Sequence, residues 1–233
     1  MSQLALDLLA VAPPTLGNFV AGSNGECLAC LRALAEGDRA QRLVYLWGLP
    51  GSGRSHLLRA LAGSGGRLLR PQSPLGDFAF DDDCPLYLAD DVQRLDGERQ
   101  KALFHLINQV RAAPSAALVA SGDAPPLGLQ LRDDLRTRLG WGLVFELHLL
   151  SDEEKAAALR TVAAERGVTV SADVVPWLLT HTSRDIRVLA ELFDALDRHA
   201  LARKRPITLP LLRDWLQTDE GRGFGRRPAS GQD

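Results

Sequence analysis

Cysteine, tyrosine and methionine are scarce in this chain, at three, two and one among 233 residues. Three thiols are too few for the disulfide framework of a small secreted domain. Cys27 and Cys30 form a CxxC, but no second pair and no nearby histidine completes a zinc site. Spaced i and i+3, they read as small apolar residues on one helix, and Cys84 reads the same way. An excess of either charge is also missing: 27 Lys and Arg against 29 Asp and Glu leave a net charge of −2. A dedicated nucleic-acid binder is usually markedly basic, so direct binding is disfavoured. No apolar run approaches the ~20 residues of a membrane span, and the start lacks the basic region of a signal peptide. A cytoplasmic protein is the expectation.

What is present is ordinary apolar material, 45% of the chain, enough for one large α/β unit or a main unit with a smaller satellite. The organising stretch is Arg42 to Leu58, RLVYLWGLPGSGRSHLL. An apolar segment (Leu43 to Trp47) runs into Gly48-Leu49-Pro50-Gly51-Ser52-Gly53-Arg54-Ser55-His56 and then into leucines at helical spacing. Strand, glycine-rich loop and helix in that order match the phosphate-binding pattern G-x-x-x-x-G-K-[ST], except that Arg54 stands where lysine is usual. The glycines let backbone N–H groups curl around phosphate oxygens, the helix N-terminus adds a positive dipole, and the Ser55 hydroxyl can ligate Mg²⁺. Guanidinium is larger, planar and permanently charged, so nucleotide binding is expected to survive and intrinsic hydrolysis to be weak.

The remaining segments arrange themselves around that loop. Gln3-Leu4-Ala5-Leu6-Asp7-Leu8 places a glutamine ahead of alternating leucines, a pattern for seating side chains in a partner's apolar pocket, and Pro13 and Pro14 separate it from the first helix. Asn18 and Phe19 precede that helix, from where Phe19 can pack on an adenine. Arg67 to Arg70 suggests a short edge strand, followed by a loop-like stretch in which Asp81 to Asp83 read as a solvated acidic run. Pro85 to Asp91 is an apolar strand ending in two carboxylates, where a parallel sheet holds Mg²⁺ beside the phosphate loop. Asp90 takes the Mg²⁺ role through its water shell, and Asp91 is placed to orient the attacking water. A helix spans Gly97 to Ala112, and the strand Ala116 to Ala120 leads to Asp123, expected between the phosphate loop and the Asp pair. Arg138, with Arg136 in reserve, ends a polar helix before Gly140-Trp141-Gly142 and the strand Leu143 to Leu147. From Ser151, with a Ser-x-x-Glu capping box, the pattern is helical, and Arg187 lies in the first turn of its third helix. The tail from Asp219, rich in Gly, Arg and Pro, is expected to be disordered.

Taken together, GLPGSGRSH, LYLADDVQ, LVASGDAPP, LRTRLGWGL and SRDIRVL resemble the AAA+ domain of the bacterial replication initiator DnaA, and more closely the Hda family of DnaA-related regulators. The resemblance implies an α/β AAA+ P-loop NTPase fold: a parallel five-stranded αβα core over residues 15–149 and a helical lid over 150–218, with flexible tails 1–14 and 219–233. It implies that Gln3, Leu4, Leu6 and Leu8 bind the DNA polymerase III sliding clamp. By position, it makes Asn18 and Phe19 the adenine-side segment, Gly48 to His56 the phosphate loop, and Asp90 and Asp91 the magnesium and water carboxylates. Asp123 becomes the first sensor, Arg138 an arginine finger and Arg187 the second sensor. The implied activity is stimulation of ATP hydrolysis by DnaA, with ADP or ATP and Mg²⁺ as cofactors. DNA is met only through the clamp. A self-oligomerising ATPase motor or loader, and a nucleotide-independent clamp adaptor, are the alternatives. The short, loop-like segment after the phosphate-loop helix puts the usual second strand and its helix in doubt.

Overall fold

The computed structural model describes residues 13–165, 167–182, 186–203 and 205–224. The chain divides into two compact units between Leu149 and Leu150. Gln3, Leu4, Leu6 and Leu8, expected from the sequence to bind the clamp, lie outside the described residues.

The first unit contains α1 (Gly25–Ala35), β1 (Leu43–Gly48), α2 (Arg54–Gly63), β2 (Arg67–Leu69), β3 (Leu86–Ala89), α3 (Gly97–Ala112), β4 (Ala117–Gly122), α4 (Asp133–Leu139) and β5 (Leu143–Leu147). Five parallel strands form one sheet in the order β2-β3-β4-β1-β5. Central strands buried on both faces explain the near-continuous apolar runs. Alternation along β1 divides the core: Val44 and Leu46 pack with α1 and α2, while Tyr45 packs with α3 and α4. The strand after the phosphate-loop helix is therefore present, as a three-residue edge strand. Its usual helix is replaced by a single 3-10 turn, Leu75–Phe78, with Phe78 and Cys84 anchoring the loop in the core. Of the acidic run, Asp82 and Asp83 are exposed. Asp81 instead pairs with Arg67, whose side-chain hydrogen bond, helped by the Asp83 N–H, holds the carboxyl below the usual range.

Two arginines ahead of β1 stop the neighbouring helices. Arg39 donates to Leu34 O at 2.8 Å at the end of α1, and Arg42 donates to Val110 O at 3.0 Å and Ala113 O at 2.7 Å at the end of α3. Cations at these carbonyl ends complement the helix dipoles. Gly142 enters β5 so close to β1 that a Cβ there would lie 1.8 Å from Leu43 O. This is the requirement behind the last glycine of GWG.

The second unit is helical: α5 (Asp152–Glu165), α6 (Val174–His181), α7 (Ile186–Arg203), α8 (Leu209–Leu216) and α9 (Asp219–Arg222). The capping box forms as the sequence indicates, with Ser151 N–H donating to Glu154 Oε2 at 2.7 Å and Glu154 N–H to Ser151 Oγ at 3.1 Å. Trp215 is fully buried at its centre. The expectation of disorder from Asp219 is corrected for residues 219–224. Thr218 Oγ1 accepts from Gly221 N–H at 3.2 Å to start α9, and Phe224 packs on Trp215 at 5.7 Å between rings.

Cys27 is 3% exposed, and burial, with smaller contributions from Cys30 and Glu26, pushes its thiol up to about 12. Burial raises Cys30 as well. Because the thiolate is the reactive form, raising its pKa lowers reactivity at neutral pH. At pH 8, native protein treated with iodoacetamide should show slow labelling at Cys30 and none at Cys27 by mass spectrometry. Denaturant should release both. Rapid native labelling of Cys27 would contradict this packing.

Candidate functional site

β1 delivers the chain at the carboxyl edge of the sheet into a loop with Gly51 at φ +89° and Gly53 at φ +97°. L-residues rarely adopt that region, so the loop requires glycine at both. Gly53 is doubly constrained, since a Cβ would lie 2.6 Å from Phe19 Cε2. No side chain caps the start of α2, which leaves its first N–H groups turned toward the loop. Two polar atoms here are buried without a partner: Ser52 Oγ and Arg54 Nη1. A buried guanidinium nitrogen with nothing to donate to is costly, and beside a helix N-terminus it fits an anion. The residues present therefore suit a nucleotide's phosphates.

The carboxylates lie one strand over. Asp90 is 5% exposed, and its Oδ1 accepts from Ser55 Oγ at 3.1 Å and from Ser121 Oγ at 2.7 Å. Ser55 and Asp90 thus bring two oxygen donors together at the loop, a small protein share of the kind Mg²⁺ uses beside phosphates. Asp91 stands in the left-handed region at φ 53°, ψ 51°, with its N–H donating to Ser121 Oγ at 3.2 Å. Its Oδ1 accepts from Gln93 at 3.2 Å, leaving the carboxylate partly exposed beside the site.

The position expected of Asp123 is occupied by another residue. Asp123 is exposed beyond the end of β4, and the side chain that touches Asp90 is Ser121, buried within the strand. Parallel register places Ser121 opposite Leu46, just before the phosphate loop. Where adenine is expected from the sequence, Phe19 packs on Gly53 and lies 5.6 Å from the His56 ring, while His56 Nε2 is 3.1 Å from Thr15 O. Asn18 instead shapes its own turn, accepting from Thr15 N–H at 2.8 Å and donating to Pro13 O at 3.0 Å.

Arg138 is placed differently. Its Nε donates to Asn108 Oδ1 at 3.0 Å, and its guanidinium stacks 3.7 Å over the Trp141 ring, with Phe104 at 5.2 Å. Its terminal nitrogens have no hydrogen-bond partner among the described residues. Arg136, by contrast, is engaged by Asp133 and by Leu127 O. Trp141 sits beside the amino end of β1, while the phosphate loop leaves the carboxyl end, six residues or about 20 Å away at ~3.3 Å per residue. Arg187 lies at the second position of α7, its side chain outside the described residues.

Comparison with known proteins fits this arrangement. The family model of the Hda lid domain matches residues 152–216. An uncharacterised protein of Haemophilus influenzae is 33% identical over 229 residues, covering 92% of this chain and 98% of that one. Domain III of the Thermotoga maritima replication initiation protein DnaA superposes with a TM-score of 0.69 at 20% identity, covering 89% of this chain and 99% of the other. AMPPCP-bound DnaA from Aquifex aeolicus gives 0.62 at 22% identity, with 89% and 73% covered. The Thermotoga maritima RuvB Holliday junction branch migration motor gives 0.63 at 19%, with 90% and 74% covered. The parallel sheet, phosphate loop and helical unit define an AAA+ nucleotide-binding fold. Within that class, the lid match and the DnaA-like body mean that the chain belongs to the Hda family of DnaA-related AAA+ proteins.

Proposed function

We propose that this chain is a negative regulator of replication initiation that binds an adenine nucleotide, ADP in its resident state, and stimulates hydrolysis of ATP bound to DnaA. The observation that carries the reading is the distance between Arg138 and the phosphate loop. The terminal nitrogens of Arg138 have no hydrogen-bond partner among the described residues. Yet they rest about one strand length from the chain's own phosphate cradle, roughly 20 Å at ~3.3 Å per residue. A cation so placed serves a neighbour's nucleotide, where it stabilises charge developing on the transferred phosphoryl group.

In the chain's own site, Arg54 and the α2 N-terminus hold phosphates, Phe19 covers the base side, and Ser55 with Asp90 holds Mg²⁺. A bound Mg²⁺ neutralises phosphate charge there. Arg187 on α7 is the residue proposed to sense the nucleotide. Gln3, Leu4, Leu6 and Leu8 seat the chain on the DNA-loaded sliding clamp, which brings Arg138 to DnaA by raising its local concentration.

The test is decay of DnaA-bound ATP in the presence of clamp loaded on DNA. Wild-type protein is expected to accelerate it, and the double substitution Gln3→Ala, Leu4→Ala to remove the acceleration while leaving nucleotide binding unchanged. If the wild-type chain leaves DnaA-bound ATP untouched, the reading is overturned. ATP turnover by the chain itself would then separate a motor from an adaptor.

A further inference from the structure

We propose that Trp141 is the positioning residue for Arg138, and that Arg111 braces the indole from its opposite face. This rests on the reading of Arg138 as the group offered to a partner's nucleotide. The Arg138 guanidinium carbon lies 3.7 Å from the Trp141 ring centroid and that of Arg111 lies 4.2 Å from it. On a single face two guanidinium groups this close to the centroid would crowd their nitrogens together and set like charges side by side, so opposite faces are the arrangement proposed. The indole is therefore sandwiched between two cations, each attracted to the negative face of the ring.

Each constraint on Arg138 removes a different freedom. The indole sets the plane of the guanidinium, and Asn108 Oδ1, accepting from Nε at 3.0 Å, sets its rotation within that plane. The edge carrying the two terminal nitrogens stays open, and that edge forms the bidentate fork that matches a phosphate. The backbone just after Trp141 is fixed, because Gly142 lies against Leu43 O with no room for a Cβ. Arg42 cannot serve as the second cation, since its donors are engaged with Val110 O and Ala113 O. Arg111 is exposed on the last turn of α3; its carbonyl accepts from Arg42, but its guanidinium has no hydrogen-bond partner among the described residues and is free to stack. An arginine ordered before the partner arrives avoids the entropy of ordering a long side chain at the moment of docking.

The experiment uses the full chain as wild type, Trp141→Phe, Trp141→Ala, Arg111→Ala and Asn108→Ala, with two readouts. The first is the maximal rate, and separately the half-saturating concentration, of stimulated decay of DnaA-bound ATP with DNA-loaded clamp. Trp141→Ala is expected to lower the maximal rate roughly 10- to 100-fold. The half-saturating concentration should change little, and Trp141→Phe, which keeps a flat ring, should restore most of the rate. Arg111→Ala should fall between Trp141→Phe and Trp141→Ala. The second readout is the arginine Nε–H resonance of Arg138 by proton–nitrogen correlation NMR, which should move in Trp141→Ala and in Asn108→Ala. Trp141→Ala stimulating as well as wild type would overturn the proposal, as would a loss confined to half-saturation. If the wild-type chain does not stimulate DnaA, the proposed function fails instead, and the resonance alone decides. Movement on Trp141→Ala then upholds the positioning contact and an unmoved signal overturns it.

Discussion

Arg138→Ala is expected to lower stimulated decay of DnaA-bound ATP by ~10³-fold or more, the usual cost of removing an arginine finger. Its own nucleotide binding should be unchanged, because Arg138 stacks on Trp141 at the far end of β1 from the phosphate loop. Arg138→Lys should recover only a small part, since an ammonium neither stacks on Trp141 as a plane nor presents a bidentate fork. Arg136→Ala is the control that separates position from charge. That side chain is held by Asp133 and by Leu127 O at 3.3 Å, so its loss should cost about 1 kcal/mol of stability and little rate. The measurement is single-turnover decay of labelled ATP on DnaA with each variant in excess. Comparable losses for the two arginines would remove the case for Arg138.

Whether such residues could be read from sequence depended on whether their partners were local. β1, α3 and β5 announced themselves through continuous apolar runs or helical spacing, and the start of α5 through Ser151 and Glu154, because those signals involve neighbours a few positions apart. The phosphate loop was legible for the same reason. Ser121 was not: nothing around it marks the residue, and its role arises from parallel pairing that sets it opposite Leu46 and within 2.7 Å of Asp90. Asp123, the more conspicuous polar residue, lies past the strand end, exposed. The Arg111–Trp141–Arg138 stack joins α3, α4 and the turn before β5, so no spacing rule encodes it. The end of the chain illustrates the opposite error. Glycine- and arginine-rich composition predicts disorder from Asp219, but Thr218 caps the short helix α9 in the structure and Phe224 packs on Trp215.

Arg54→Ala is expected to change stability in opposite directions with and without nucleotide. Arg54 Nη1 is buried without a partner, and such an orphaned donor costs about 1–3 kcal/mol. Removing it should leave the nucleotide-free protein as stable as wild type or more so, whereas truncating an ordinary half-buried arginine destabilises. With nucleotide present, the lost charge-assisted bonds to phosphate should weaken binding by about 2–3 kcal/mol, roughly 30- to 150-fold in Kd. Arg54→Lys should keep most of that affinity, because a point charge still reaches the phosphates even without the planar fork. Calorimetric melting of each variant with and without ADP and Mg²⁺ reads both effects at once, since ligand binding to the native state raises Tm in proportion to RT ln(1 + [L]/Kd). A lowered melting temperature without ligand, together with an undiminished ADP-induced rise, would mean that Arg54 braces the loop and does not hold phosphate. The nucleotide site would then rest on the backbone and Ser55 alone.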